Sequence, residues 1–135
     1  MKLGSLKEGG RDGTLVVVNH DLTQMMLANG IAPNLQAAID IWDKALPELQ
    51  KLYDRLNNKK SLDARPFVAS EMSSPLPRAF QWADGSAYLN HMRLVRKARG
   101  AEMPAGFDQE PLLYQGGSDG FIGPEDSIEI FDETW

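Results

Sequence analysis

Asp84 and His91 are the side chains of this sequence best suited to share a reaction. They stand seven residues apart in Trp82-Ala83-Asp84-Gly85-Ser86-Ala87-Tyr88-Leu89-Asn90-His91, and a basic cluster of Arg93, Arg96, Lys97 and Arg99 follows them. On a helix that interval puts both on one face about two turns apart, so the carboxylate can hold a cation while the imidazole serves a nearby substrate or water. The same residues also read as a helix or turn capped by Asp84 with a half-buried His91, and spacing alone favours that plainer reading. A second unusual stretch is Leu113-Tyr114-Gln115-Gly116-Gly117-Ser118-Asp119-Gly120, a glycine-rich loop introduced by a tyrosine. Glycines let backbone N–H groups approach an anion closely. Neither the Gly-Lys-Ser/Thr ending of a P-loop nor the Gly-x-Gly-x-x-Gly spacing of a dinucleotide site is present, so a tight turn between strands is the plainer reading here too. His20 reads as an exposed loop residue without a role.

Composition limits what these residues can do. The chain has 135 residues, 42% hydrophobic and 24% charged, which suits one ordinary domain or a small domain plus the beginning of a second. It has no cysteine, which removes thiolate nucleophiles, disulfides and soft-metal sites; any metal must be held by oxygen or imidazole, with Mg or Ca the natural choice. No apolar run approaches the roughly 20 residues of a membrane span, and Met1-Lys2-Leu3-Gly4-Ser5 lacks the apolar core of a secretory signal. A cytoplasmic location without membrane contact is expected. The net charge of -5 argues against nucleic acid as a partner, as does the lack of aromatic residues interleaved with Arg93 to Arg99. Residues 119–135 hold six acids and no Lys or Arg, so this tail and the basic cluster can pair, or both can be solvated surface.

The elements that must position the site follow from periodicity. Leu3 to Leu6 and Thr14 to Val18 are short β-like runs separated by Glu8-Gly9-Gly10-Arg11-Asp12-Gly13, which predicts a hairpin. Gln24 to Ala28 reads as a further strand or as one helical turn. From Leu35 to Leu56 the apolar residues Leu35, Ala38, Ile39, Trp42, Leu46, Leu49, Leu52, Tyr53 and Leu56 recur at helical spacing, with Asn34 available as a cap. Pro47 is costly inside a helix but suits a first turn, predicting two helices that meet near Leu46 and shield Trp42. Lys59 to Pro77 is polar and broken by prolines, as in a linker or an extended crossing segment. Asp126 to Phe131 alternates polar and apolar as a strand would. The expected fold is α+β: residues 1–74 form a small domain of hairpin plus two helices, and residues 75–135 begin a second, β-rich domain.

The stretch from Pro75 to Gly120 resembles the fumarylacetoacetate hydrolase family, in particular its bacterial form. The resemblance is carried by Trp82-Ala83-Asp84-Gly85-Ser86-Ala87-Tyr88, Asn90-His91, Val95-Arg96-Lys97-Ala98-Arg99-Gly100, Glu102-Met103-Pro104 and Tyr114-Gln115-Gly116-Gly117-Ser118-Asp119. Met1 to Lys7, Asp12 to Val18 and Ile31 to Ala38 are similar as well, so the likeness covers nearly the whole chain. It implies hydrolysis of a carbon-carbon bond in a 1,3-dicarbonyl acid of the fumarylacetoacetate or acylpyruvate type, a reaction of aromatic amino acid catabolism, with a carboxylate-bound Mg or Ca and a histidine that activates water. By position it implies that Asp84 binds the metal, His91 is catalytic, and Tyr114 contacts substrate. Arg99 lies near the arginine for the substrate carboxylate, in an alignment that shifts by a residue or more across Arg96 to Gly100. A homodimer is implied for the full-length enzyme. Family enzymes carry further metal-binding glutamates, an aspartate, lysines and an acid that orients the histidine, and these have no counterparts here. The chain alone is therefore expected to be inactive, with a weak or absent cation site. The alternative is a non-catalytic binding or assembly module derived from the same family.

Overall fold

Leu15, Val16, Val17 and Val18 are four consecutive apolar residues, a run too continuous for a strand with one wet face, and the fold covers both faces of it. The computed structural model describes residues 1–58, 63–132 and 134. They pack as two units, one of Met1–Arg78 with the residues from Gly120 onward, the other of Ala79–Asp119. In the first unit β1 (Lys2–Leu6), β2 (Thr14–Val18), β3 (Gln24–Leu27) and β4 (Arg65–Pro66) form an antiparallel sheet in that order. Leu15 and Val17 join Met26 in a cluster with the helices, while Val16 and Val18 join Leu6, Met25 and Met72 in a second cluster. The period of two sends alternate side chains of β2 to opposite faces.

The predicted hairpin pairs Leu6 with Thr14 and Lys2 with Val18. Gly13 closes its loop at a φ of 69°, where a Cβ would also come within 2.6 Å of the Leu6 carbonyl oxygen, so two independent constraints select glycine. Gln24–Leu27 is a strand, not a helical turn. Its entry is fixed by the buried Asn19, whose Oδ1 accepts from the backbone N–H groups of Thr23 and Gln24 at 2.9 and 3.0 Å.

Two helices follow, α1 (Leu35–Asp40) and α2 (Trp42–Asn57), and Asn34 caps α1 by accepting from Ala37 N at 2.8 Å. The break between them falls at Ile41, not near Leu46, and Pro47 lies inside α2. Pro47 deprives only the Asp43 carbonyl of an N–H partner, and both residues are exposed where water can serve instead. Trp42 is also displaced from its predicted place. The buried stripe of α2 is Ala45, Leu49 and Leu56; Trp42 precedes it by a turn at the very start of the helix and is 38% exposed, as are Leu46 and Ile39 to a similar degree. Leu49, fully buried, anchors the helix to the sheet, a burial that contributes about 2 kcal/mol.

The proline-broken stretch, of which residues 59–62 lie outside the described residues, is an extended crossing segment. It pairs with β3 through Arg65–Pro66, makes a single 3-10 turn at Ala69–Glu71, and reaches the other edge of the sheet, where Met72 bridges to Leu6. Ser73 N donates to Ser5 O at 2.9 Å, and the fully buried Ser5 hydroxyl donates to Pro75 O at 2.7 Å. Arg78 forms a two-pronged ion pair with Asp12 of the hairpin loop. The returning segment is held similarly: Phe121 N donates to Pro77 O at 3.1 Å, Asp126 pairs with Lys7, and Gly123 is buried against Met72. The acidic tail thus takes Lys7 as its partner, while Arg93 of the basic cluster lies 5.6 Å over the Phe107 ring. Residues 126–131 form no strand, and Ile128, Ile130 and Phe131 are largely exposed. Alternation alone does not make a strand when no neighbour takes up its backbone groups.

In the second unit β5 (Ala83–Ser86) and β6 (Leu112–Gln115) form an antiparallel pair, with α3 (Leu89–Ala98) between them in sequence. Among the described residues no helix is long and apolar enough to cross a membrane.

Candidate functional site

Asp84 and His91 do not share a helix. Asp84 lies on β5 and His91 in the first turn of α3, with Ala87 and Tyr88 between the two elements. Backbone pairing decides this: Ala83 to Ser86 match Gln115 to Leu112 residue by residue, a ladder that the helical reading of the seven-residue interval leaves out. The ladder places Asp84 directly opposite Tyr114, and directly opposed residues of an antiparallel pair project from the same face. Two residues predicted as site residues from distant parts of the sequence are thereby brought side by side.

The same face holds Trp82. Its ring lies edge-on to Tyr114 with centroids 5.9 Å apart and planes at 74°. Gly116 lies beneath it, because any Cβ there would fall inside the Trp82 ring. Gly116 N donates to Trp82 O at 2.8 Å and Trp82 N to Gly117 O at 3.2 Å, so two residues face Trp82 just past the end of the ladder. The glycine-rich stretch therefore seats an aromatic ring, and the Gly116 N–H is already committed to a carbonyl instead of an anion. The sequence marks no role for Trp82 and only a backbone role for Gly116; the signal for their contact is a bulky aromatic and a glycine that become neighbours once Asp84 is set against Tyr114.

His91 and Arg99 are eight residues apart at opposite ends of α3, about 12 Å along its axis. Arg99 is the last residue before a stop built on Gly100, which has a φ of 64°. Gly100 N donates to Lys97 O and Ala101 N to Arg96 O, the paired bonds of a glycine-terminated helix. Arg96 and Lys97 in the last turn complement the helix dipole, which accounts for part of the basic cluster. Asp84, His91, Arg99 and Tyr114 are all exposed, and the geometry brings neither His91 nor Arg99 into a hydrogen bond or ion pair with Asp84. Among the described residues no three His, Asp or Glu side chains converge in a way that could hold a metal. A cleft of about 550 Å³ in the first unit is lined by apolar residues including Leu3, Val18, Phe67 and Met72, and by none of the four candidates.

No curated protein matches the chain. The family described as fumarylacetoacetase N-terminal domain 2 matches residues 1–78. That is more than half of the chain, and it ends at Arg78, where the first packed segment ends. The four candidate residues lie beyond it. The sheet and helices of the matched region are the small α+β domain that the sequence leads one to expect, and by that match the chain belongs to the fumarylacetoacetase family.

Proposed function

We propose that this chain is the amino-terminal part of a metal-dependent hydrolase that cleaves a carbon-carbon bond in a 1,3-dicarbonyl acid of the fumarylacetoacetate or acylpyruvate type. Family membership supports the hydrolase class. The observation that supports the site is the register that sets Asp84 beside Tyr114 on a strand pair whose first strand leads into the helix of His91. In this reading Tyr114 contacts the substrate, Arg99 meets its carboxylate and His91 takes a proton from the attacking water, a task for which imidazole is the side chain suited near neutral pH. Water adds to one carbonyl, the bond to the neighbouring carbon breaks, and the electron pair leaves on the other fragment as an enolate that is then protonated.

Asp84 is assigned one carboxylate of a Mg or Ca site. Such ions take about six or more oxygen ligands, and the described residues do not supply them, so the donor set here does not fit a complete site and no step is derived through the ion. For the isolated chain, calorimetry is expected to find Mg or Ca binding no tighter than about millimolar, the weak end of biological cation sites, and assays no turnover. The role assignment is tested in a full-length enzyme. His91→Ala should lower turnover by roughly 10²- to 10⁴-fold with cation affinity intact, whereas Asp84→Ala should weaken the cation and recover as its concentration rises. Rescue of His91→Ala by excess cation, or unweakened cation binding in Asp84→Ala, would overturn the roles. Because the family match stops before all four residues, a non-catalytic binding or assembly module is the second reading, and full activity in both variants would favour it.

A further inference from the structure

Tyr114 is 66% exposed and would swing freely about its side-chain torsions if nothing stood beside it. Trp82 stands there, edge-on to its ring, and is itself fixed from below by Gly116 and at its backbone by the bonds to Gly116 and Gly117. We propose that Trp82, seated on Gly116, is a positioning residue that holds the Tyr114 phenol on the Asp84 face for a dicarbonyl acid to meet. The proposal rests on the functional reading above for the ligand, but not for the geometry.

Three features support it independently of any ligand. Trp82 stands two residues before Asp84 and Gly116 two residues after Tyr114, just past the end of the ladder at Ala83 and Gln115, and there the indole meets the phenol edge-on. Any side chain at 116 would evict the indole, which makes the glycine specific to this contact; at Gly117, by contrast, a Cβ would meet nothing. Finally, an edge-on pair directs the positive edge of one ring at the negative face of the other, which favours a single orientation over a continuum. A phenol already oriented loses less rotamer freedom when a ligand binds, so part of the affinity resides in Trp82 without its touching the ligand.

The chain has three tyrosines, Tyr53, Tyr88 and Tyr114, which permits a test with 3-fluorotyrosine incorporated throughout and read by fluorine NMR. Tyr114→Phe assigns the Tyr114 signal. Tyr53, packed against the core of the first unit, and Tyr88, at the start of α3, report whether each unit remains folded. In the parent chain the Tyr114 signal should be single and shifted from the free amino acid. Trp82→Ala and Gly116→Ala should move it to the free position while Tyr88 stays in place, and Trp82→Phe, which keeps an edge, should restore most of the shift. A titration with acetylpyruvate should move the Tyr114 signal of the parent and weaken by between about twofold and tenfold in Trp82→Ala, the range that an edge-on aromatic pair supplies. A Tyr114 signal indifferent to Trp82→Ala and Gly116→Ala would overturn the positioning role. So would a signal that moves only together with Tyr88, or a failure of Trp82→Phe to restore it. If acetylpyruvate moves nothing in the parent while the variants behave as expected, the positioning of Tyr114 stands and the substrate class falls with the functional reading.

Discussion

The two units of this chain solve the problem of holding a shape in opposite ways. In the first, a continuous apolar strand is covered on both faces, by α1 and α2 on one side and by Phe67 and Met72 of the crossing segment on the other. In the second, Met92 is the only hydrophobic side chain that is buried among the described residues, while Phe80, Tyr88, Leu113 and Tyr114 are each at least 66% exposed. Its order comes from a four-residue strand pair, one aromatic pair, one cation–π contact and a glycine-terminated helix. Extensive burial shapes the region that matches the family, whereas one strand pairing and a few exposed contacts shape the region that carries the candidate chemistry. A two-stranded pair is marginal on its own in water. The candidate residues thus lie in the unit with the least buried surface.

The widest expected effect is in hydrogen exchange. Amides of β2 should open only with the whole first unit, whereas those of β5, β6 and α3 should exchange through local opening, faster by on the order of 10³-fold or more. Equal protection of Val17 and Tyr114 amides would mean that the second unit has support that its buried surface does not reveal, and the contrast would fail.

Next in size is the contrast between two residues of α2. Leu49→Ala empties a fully buried position and should cost about 3 to 4 kcal/mol in a denaturant titration. Trp42→Ala, at a position 38% exposed, should cost about 1 to 2 kcal/mol. A larger loss from Trp42 than from Leu49 would show that the core extends past the start of the helix. Sequence periodicity could not make this distinction, because Trp42 falls on the same stripe as Ala45 and Leu49. What separates them is where the helix begins relative to the sheet, a tertiary fact.

Other parts of the fold were legible because their signals were local. The glycines around Asp12 set the hairpin, Asn34 announced α1, and the Thr14 to Val18 run marked a strand, although its cover on both faces came only with the structure. Pro47 misled because its penalty depends on whether the orphaned carbonyl can reach water. Ile128, Ile130 and Phe131 misled because a strand needs a partner as well as a pattern. At the candidate site, residue types pointed to Asp84, His91, Tyr114 and Arg99, but the pairing of Asp84 with Tyr114 spans 30 residues and appears only with the register. The part played by Trp82 and Gly116 was invisible for the same reason.

The smallest effect sharpens the comparison from the side of charge. Asp12 and Asp126 both belong to the first unit, and their carboxyls are held below the ordinary carboxylate value, Asp12 chiefly by the hydrogen bond from Arg78 and Asp126 chiefly by that from Lys7, aided by Gly123 N. A carboxyl whose value is lower in the folded state adds stability that is present above its unfolded value, near 4, and is lost as pH falls through the folded value. The first unit should therefore unfold at lower denaturant concentration at about pH 3 than at pH 6, with the loss beginning below about pH 4. Both pairs are solvated and stand at the ends of the unit, where they tie Arg78 and the segment from Gly120 to the hairpin loop. Solvent screening keeps such pairs weak, so the acid effect traceable to them should be well below that of Leu49→Ala. Asp12→Asn with Asp126→Asn isolates that share, since the double variant can no longer titrate at these positions and should show a shallower fall between pH 6 and pH 3 than the parent. If the double variant falls as steeply, the two pairs do not contribute. If removing them costs as much as removing Leu49, the first unit is held by its surface charges as much as by its core, and the contrast with the second unit would have to be redrawn.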